Sequence, residues 1–180
     1  MAHDHHECVD CGGDIGPRPM NIGFALPDAI WDLSPEDEQN HLVMLSREED
    51  FASLDDRYFV KGLLNIRVGS PSKKEVFAYG VWIEVGSHAE FRRIAKACLD
   101  PCAYGALSFT GKLANEIEGG LRGATVALEA PKNSVIDDTK PVIVRSGDAR
   151  IQKILKDGWT EEEYQEAIAA DDDNPEDGGG

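Results

Sequence analysis

The chain of 180 residues contains no apolar run approaching the ~20 residues that span a bilayer, so no membrane helix is expected. Its start lacks the basic region and apolar stretch of a secretory signal, and the expected compartment is the cytoplasm. Basic residues are scarce: 18 Lys and Arg stand against 34 Asp and Glu, a formal net charge of -16. That imbalance repels phosphate backbones and anionic lipids, so nucleic acid and membrane are not expected partners, whereas a basic protein would be steered toward the chain. Four cysteines are too few for a disulfide scaffold at this length and read better as thiols or metal ligands. Catalytic signatures are missing too. There is no Gly-x-Ser-x-Gly elbow, no Walker phosphate loop and no His-Glu-x-x-His helix, and Gly119-Gly120-Leu121-Arg122-Gly123 lacks the strand that a dinucleotide-binding turn requires before it. Neither a repeat nor an internal linker interrupts the chain.

What is present begins with Cys8-Val9-Asp10-Cys11-Gly12, after His3, His5 and His6. Cys-x-x-Cys spacing lets two thiolates reach one tetrahedral zinc ion, and Gly12 permits the positive-φ turn of a metal knuckle. This is half of a structural site. Cys98 and Cys102 could complete a cysteine tetrad, or the N-terminal histidines could supply the missing ligands. The alternatives are a redox-active or an ordinary thiol pair; redox catalysis is disfavoured because the pair precedes glycines and Pro17 rather than opening a helix. Cys98 also lies on an apolar helix stripe, where a buried free cysteine is common.

The periodicities predict an α+β fold in one domain, mainly antiparallel sheet with a packed amphipathic helix and a C-terminal helix. Residues 8–170 form the domain, 1–7 a flexible His-rich start, and 171–180 a disordered acidic tail without apolar side chains. Ser34-Pro35-Glu36-Asp37 starts a short helix, while Leu42-Val43-Met44-Leu45 has no decisive period. Tyr58 to Val68 and Val76 to Val85 read as a hairpin whose Phe77, Tyr79, Val81, Ile83 and Val85 face the core. Further strands are expected at 121–130 and 141–145, with Gly123 and Pro141 favouring bulges or edge positions. Ser87-His88-Ala89-Glu90 is a capping box, and Phe91, Ile94, Ala95, Cys98 and Leu99 follow on one stripe that ends before Pro101. Thr160 and Glu163 form a second box, with Trp159 and Tyr164 at staple positions, for a helix ending about Ala170.

Several segments together resemble the bacterial family DUF2199: the Cys8-x-x-Cys11-Gly12 start, Leu26-Pro27-Asp28-Ala29-Ile30-Trp31-Asp32-Leu33-Ser34, Tyr58-Phe59-Val60-Lys61-Gly62 and Tyr79-Gly80-Val81-Trp82-Ile83. Phe91, Tyr104-x-x-Leu107-Ser108, Lys140-Pro141-x-Ile143 and Gly158-Trp159-Thr160 continue it, so that it covers residues 8–170 in order. The resemblance implies a single α+β domain and a bound metal. Two departures touch that metal. The chain has Ile15 where the family places a His after the second Cys, and Asp148-Ala149 where an Asp-His pair stands; Cys98 and Cys102 are unusual for the family and could replace a lost ligand.

Two functions follow as expectations. The first is a non-enzymatic, zinc-stabilised protein-interaction module with a basic partner, from the knuckle, the acidic surface and the missing catalytic motifs. The second is a small metal-dependent hydrolase or other enzyme whose carboxylates and histidine converge only in the fold, a reading that a cleft lined by Asp28, His41 or His88 would favour. The acidic runs Glu48-Glu49-Asp50 and Asp55-Asp56-Arg57 read as solvated loops, and Trp31 and Trp82 as either a recognition patch or the second face of a covered sheet.

Overall fold

The computed structural model describes residues 21–46, 50–70, 73–117, 120–131 and 140–172. Eight strands are present there: β1 Asn21–Gly23, β2 Val43–Leu45, β3 Phe51–Leu54, β4 Arg57–Ser70, β5 Lys73–Val85, β6 Ser108–Leu113, β7 Thr125–Glu129 and β8 Val142–Ser146. Six helices accompany them: α1 Asp28–Trp31, α2 Pro35–Glu38, α3 His88–Leu99, α4 Pro101–Tyr104, α5 Ala149–Asp157 and α6 Glu161–Asp172. The expected α+β class and the mainly antiparallel pairing hold.

The long hairpin is the frame of the molecule, with a ladder from Tyr58↔Val85 to Ser70↔Lys73. Each of its strands takes two partners in succession along its outer edge. Beside β4 lie first β3, at Arg57 to Val60, and then β8, at Leu63; beside β5 lie β6, at Ile83 and Glu84, and β1, at Ala78 to Gly80. Since β6 pairs β7 and β7 pairs β8, the ring β4-β5-β6-β7-β8 returns to β4. The result is a closed five-stranded barrel, which the sequence patterns did not indicate. Closure removes the open edges of these five strands. The strands expected at 121–130 and 141–145 are β7 and β8; both are barrel staves rather than edges, Gly123 and Pro141 lie just outside them, and the one register shift between them falls at Ala127/Leu128.

Alternation along the hairpin sorts the side chains into two cores. Val60, Leu64, Ile66, Phe77, Tyr79, Val81, Ile83 and Val85 point into the barrel core with Leu113, Val126, Leu128 and Ile143. Phe59 and Trp82 point outward into a second core with Ile30, Ala52, Leu54 and Ala114. Trp82 is therefore the second face of a covered sheet. Gly62 permits the close seam with β8, since a Cβ there would lie 2.7 Å from Leu128 Cδ2 and 3.2 Å from the Pro141 carbonyl oxygen.

Helix α3 begins as its sequence dictates, with the Glu90 N–H donating to Ser87 Oγ at 3.1 Å. The Glu90 carboxylate grips Arg93 through two bonds of 2.8 and 2.7 Å. Ile94 is fully buried, whereas Phe91 and Cys98 are half-buried and Leu99 is 71% exposed. The expectation that Leu99 docks on the sheet fails because Asp100 leaves the helix in extended geometry, φ -114 and ψ 105, and Leu99 stands at the unpacked end. Helix α6 has both halves of its capping box, Thr160 N–H to Glu163 Oε2 at 2.7 Å and Glu163 N–H to Thr160 Oγ1 at 3.2 Å. It reaches Asp172, two residues beyond the expected end and into the expected tail; the remaining tail and residues 1–7 lie outside the described residues. Between α5 and α6, Gly158 takes φ 75, a left-handed value that suits glycine, and brings Trp159 N–H to the Arg67 carbonyl at 2.7 Å.

Candidate functional site

The second core holds together three of the segments that carry the family resemblance. Asn115, fully buried, is its centre. Its Oδ1 accepts from the Trp82 backbone N–H at 2.8 Å, and its Nδ2 donates to the Leu26 carbonyl at 2.9 Å and to Asp28 Oδ1 at 2.8 Å. Asp28 Oδ2 accepts from the Glu116 N–H at 2.7 Å and from Arg122 at 3.3 Å. The indole N–H of Trp82 donates to the Phe24 carbonyl at 3.1 Å, and Lys61 Nζ lies 5.6 Å from the centre of the Trp82 ring. These bonds fix α1 on the outer face of the hairpin. Ala29 and Leu33 from the α1 region and Val43 of β2 complete the packing.

This small core carries β2 to the end of the sheet, where its only ladder among the described residues is with β3. Asp55 turns the chain from β3 into β4 at φ 53, a strained value for a residue with a Cβ. The turn is held from β2: the Asp55 N–H donates to the Leu42 carbonyl at 2.9 Å, the Leu42 N–H donates to Asp55 Oδ1 at 2.9 Å, and His41 Nδ1 lies 2.6 Å from Asp55 Oδ2. The Leu42 N–H and His41 together hold the Asp55 carboxyl below its usual range. Large apolar groups stand in solvent here: Leu42, just before β2, is 64% exposed, and Met44 and Leu45, on opposite faces of the strand, are 60% and 50% exposed.

Other candidate residues are dispersed. Asp28 belongs to the Asn115 knot, His41 to the Asp55 turn, and the His88 ring stacks on Tyr58 at 5.1 Å. Each of the three sits in a different local setting. Among the described residues no group of three or more His, Cys, Asp or Glu gathers where it could hold a metal. Cys8 and Cys11, with His3, His5 and His6, lie outside the described residues. Cys98 and Cys102 are free thiols on different helices, because the extended Asp100 ends α3 between them; Cys102 is exposed, and its N–H donates to Asp100 Oδ1 at 2.9 Å. Burial, with the charge of Asp50 as a lesser cause, pushes the Cys98 thiol up to about 11. That environment favours the protonated thiol over a free thiolate.

Cys98 borders a cleft of about 70 Å³ at the fork where β4 exchanges β3 for β8. Lys61 N–H donates to the Asp50 carbonyl at 2.8 Å, Leu63 N–H donates to the Pro141 carbonyl at 2.9 Å, and Lys140 reaches Asp50 at 3.6 Å across the gap. The ion pair joins the residue before β3 to one shortly before β8, two strands that form no ladder with each other among the described residues. Of the remaining acidic runs, Glu48 and Glu49 lie outside the described residues, Asp56 is exposed, and Arg57 is bidentate with Glu84 at 2.8 and 2.7 Å. Trp31 is 54% exposed on α1.

No pattern in the sequence marks Asn115, since one asparagine makes no period and no motif. The turn at Asp55-Asp56 had a weak local signal in its paired aspartates, which tolerate left-handed geometry and bond nearby backbone. The open edge was hidden because Leu42 to Leu45 is apolar throughout and gives no in–out alternation.

A family model, DUF2199, described as an uncharacterized protein conserved in bacteria, matches residues 7–144. The match ends within β8, so α5 and α6 lie beyond it, whereas the resemblance of the segments extends to residue 170. No curated protein and no solved structure matches the chain.

Proposed function

We propose that this chain, which belongs to the DUF2199 family, is a non-catalytic protein-interaction module whose docking surface is the edge of β2 that no other strand among the described residues pairs. The observation that carries this reading is the exposure of Met44 and Leu45 on β2 and of Leu42 directly before it, in a segment anchored by Asp55 and by the second core. Isolated exposed leucines are ordinary, but three large apolar residues within four positions at a sheet edge expose side chains and a strand edge together. A partner covering them gains apolar burial of roughly 25 cal/mol per Å².

A photo-crosslinker placed at Met44, with Lys153 on α5 as control, tests the reading in cells that make the protein. The expected result is an adduct with one identified protein at position 44 and not at 153. Purified components should then bind, and Leu42→Asp with Leu45→Asp should abolish the binding. Equal adducts at both positions, or binding untouched by the double substitution, would remove the edge as the docking surface.

Zinc held by Cys8 and Cys11 is the second component of the reading. The spacing of the pair supports it, and the ligands that would complete the site remain Cys98, Cys102 or the N-terminal histidines. No membrane role is proposed; no helix among the described residues is long and apolar enough to cross a bilayer.

A further inference from the structure

We infer that the segment received by β2 is extended and basic, and that it joins the sheet as an added strand; this rests on the interaction reading above and names its partner class. The backbone supplies the first argument. The Asp55 N–H donates to the Leu42 carbonyl and the Ser46 N–H donates to the Phe51 carbonyl at 2.8 Å, so Leu42 and Ser46 belong to the bonded pairs of the β2–β3 ladder. Antiparallel pairing alternates, which places Met44, opposite Ser53, in the same class and turns the N–H and C=O groups of Val43 and Leu45 toward the open side. Protected edges carry charges or prolines in the strand, and Leu42 to Ser46 has neither.

Charge supplies the second argument and selects the occupant. Residues 21–56, which contain α1, α2, β2 and β3, hold ten acidic residues and a single arginine, a formal -9 out of the chain's -16. Glu36, Asp37 and Glu38 of α2 precede the edge by a few residues and are exposed, as are Asp55, which accepts from the Leu42 N–H, and its chain neighbour Asp56. A second copy would set this acidity against itself, and an acidic peptide would meet the same repulsion. An extended segment whose lysines or arginines alternate with apolar residues satisfies the backbone, the apolar side chains and the acidic surroundings together.

The test is selection of a random-peptide phage library on the immobilised full chain, followed by solution affinities of the enriched peptides made synthetically. Enriched peptides should carry Lys or Arg in alternation with apolar residues, and their affinity should fall with salt. Leu45→Pro removes the outward N–H without breaking a bond to β3, so it should weaken binding about tenfold relative to Leu45→Ala, with both variants melting cooperatively. Neutralising Glu36→Gln, Glu38→Gln and Asp56→Asn together should weaken binding and flatten its salt dependence. Peptides that lose binding on Leu42→Asp, Met44→Asp but are uncharged or acidic, or that bind the proline and alanine variants equally, overturn this inference and leave the interaction reading standing. If no peptide is enriched, or enriched peptides ignore Leu42→Asp, Met44→Asp, both fail. A dimer in sedimentation that Leu45→Pro dissolves assigns the edge to a second copy and overturns the basic partner.

Discussion

Asn115 uses its amide oxygen on Trp82 of β5 and its amide nitrogen on Leu26 and Asp28 at the entry to α1, three bonds to two segments, while fully buried. Such a residue specifies position through unmet bonds: any displacement of α1 leaves buried polar groups unpaired, at a cost of about 1–3 kcal/mol each. Its role was illegible in the sequence because its partners are separated from it by tens of residues. Cys98 was legible in part. Its place on the apolar stripe gave the packing reading, and the structure half-buries it beside Asp50. With the thiol near 11, the reactive thiolate is suppressed roughly hundredfold at pH 8 relative to a thiol near 9, and it grows as pH rises toward 11. Alkylation followed by peptide mapping should therefore label the exposed Cys102 well before Cys98, with the lag shrinking as pH increases. Equal rates at pH 8 would show that Cys98 is not held in this environment.

Local chemistry made the ends of elements readable. Ser34, Ser87 and Thr160 each accept from a backbone N–H three residues on, as their sequences imply. Which side of α3 docks was less readable, because a stripe written as i, i+3, i+4, i+7, i+8 assumes that the helix stays regular to its last residue. Ile94→Ala should cost about 2–5 kcal/mol, and Leu99→Ala within about 0.5 kcal/mol of nothing, in chemical denaturation. Similar costs for the two would mean that Leu99 packs after all. The sequence patterns marked none of β1, α1, β3, α4, β6 and α5, and the last two contrast in why. In β6 the alternation of Phe109 and Leu113 is interrupted by Gly111, whose missing side chain makes room for Ile83 and the Glu84 carbonyl. The start of α5, in contrast, was available: Asp148 caps it, and Ile151, Ile154 and Leu155 follow at helical spacing.

At the scale of the molecule, composition set the class and the charge, and the hairpin faces followed from alternation. Barrel closure did not, since it depends on one register between β4 and β8 that neither strand's pattern encodes. The metal question also belongs at this scale, because a zinc ion would tie residues 8–11 to whatever completes its shell. Untagged native protein is expected to contain about one zinc per chain if a single four-ligand site forms. Cys8→Ser and Cys11→Ser should release it equally and lower the melting temperature of the loaded protein. Cys98→Ser and Cys102→Ser should do the same if the tetrad is complete, and deletion of residues 1–7 should do so if histidines complete it. Zinc retained by the Cys8→Ser, Cys11→Ser double variant would end the proposal.

Among the described residues the seam between Leu63 and Val142 joins residues farther apart in sequence than any other strand ladder, and only the isolated bridge between Val68 and Trp159 reaches farther. Chain entropy opposes so distant an encounter until the path between the two has been shortened. The hairpin, β6 and β7 provide that path, each lying against its neighbour in the ring and carrying the chain a step nearer to its starting stave. Order of assembly is thus written into connectivity: neighbouring staves can zip in sequence, and the ring is sealed by its most remote pair.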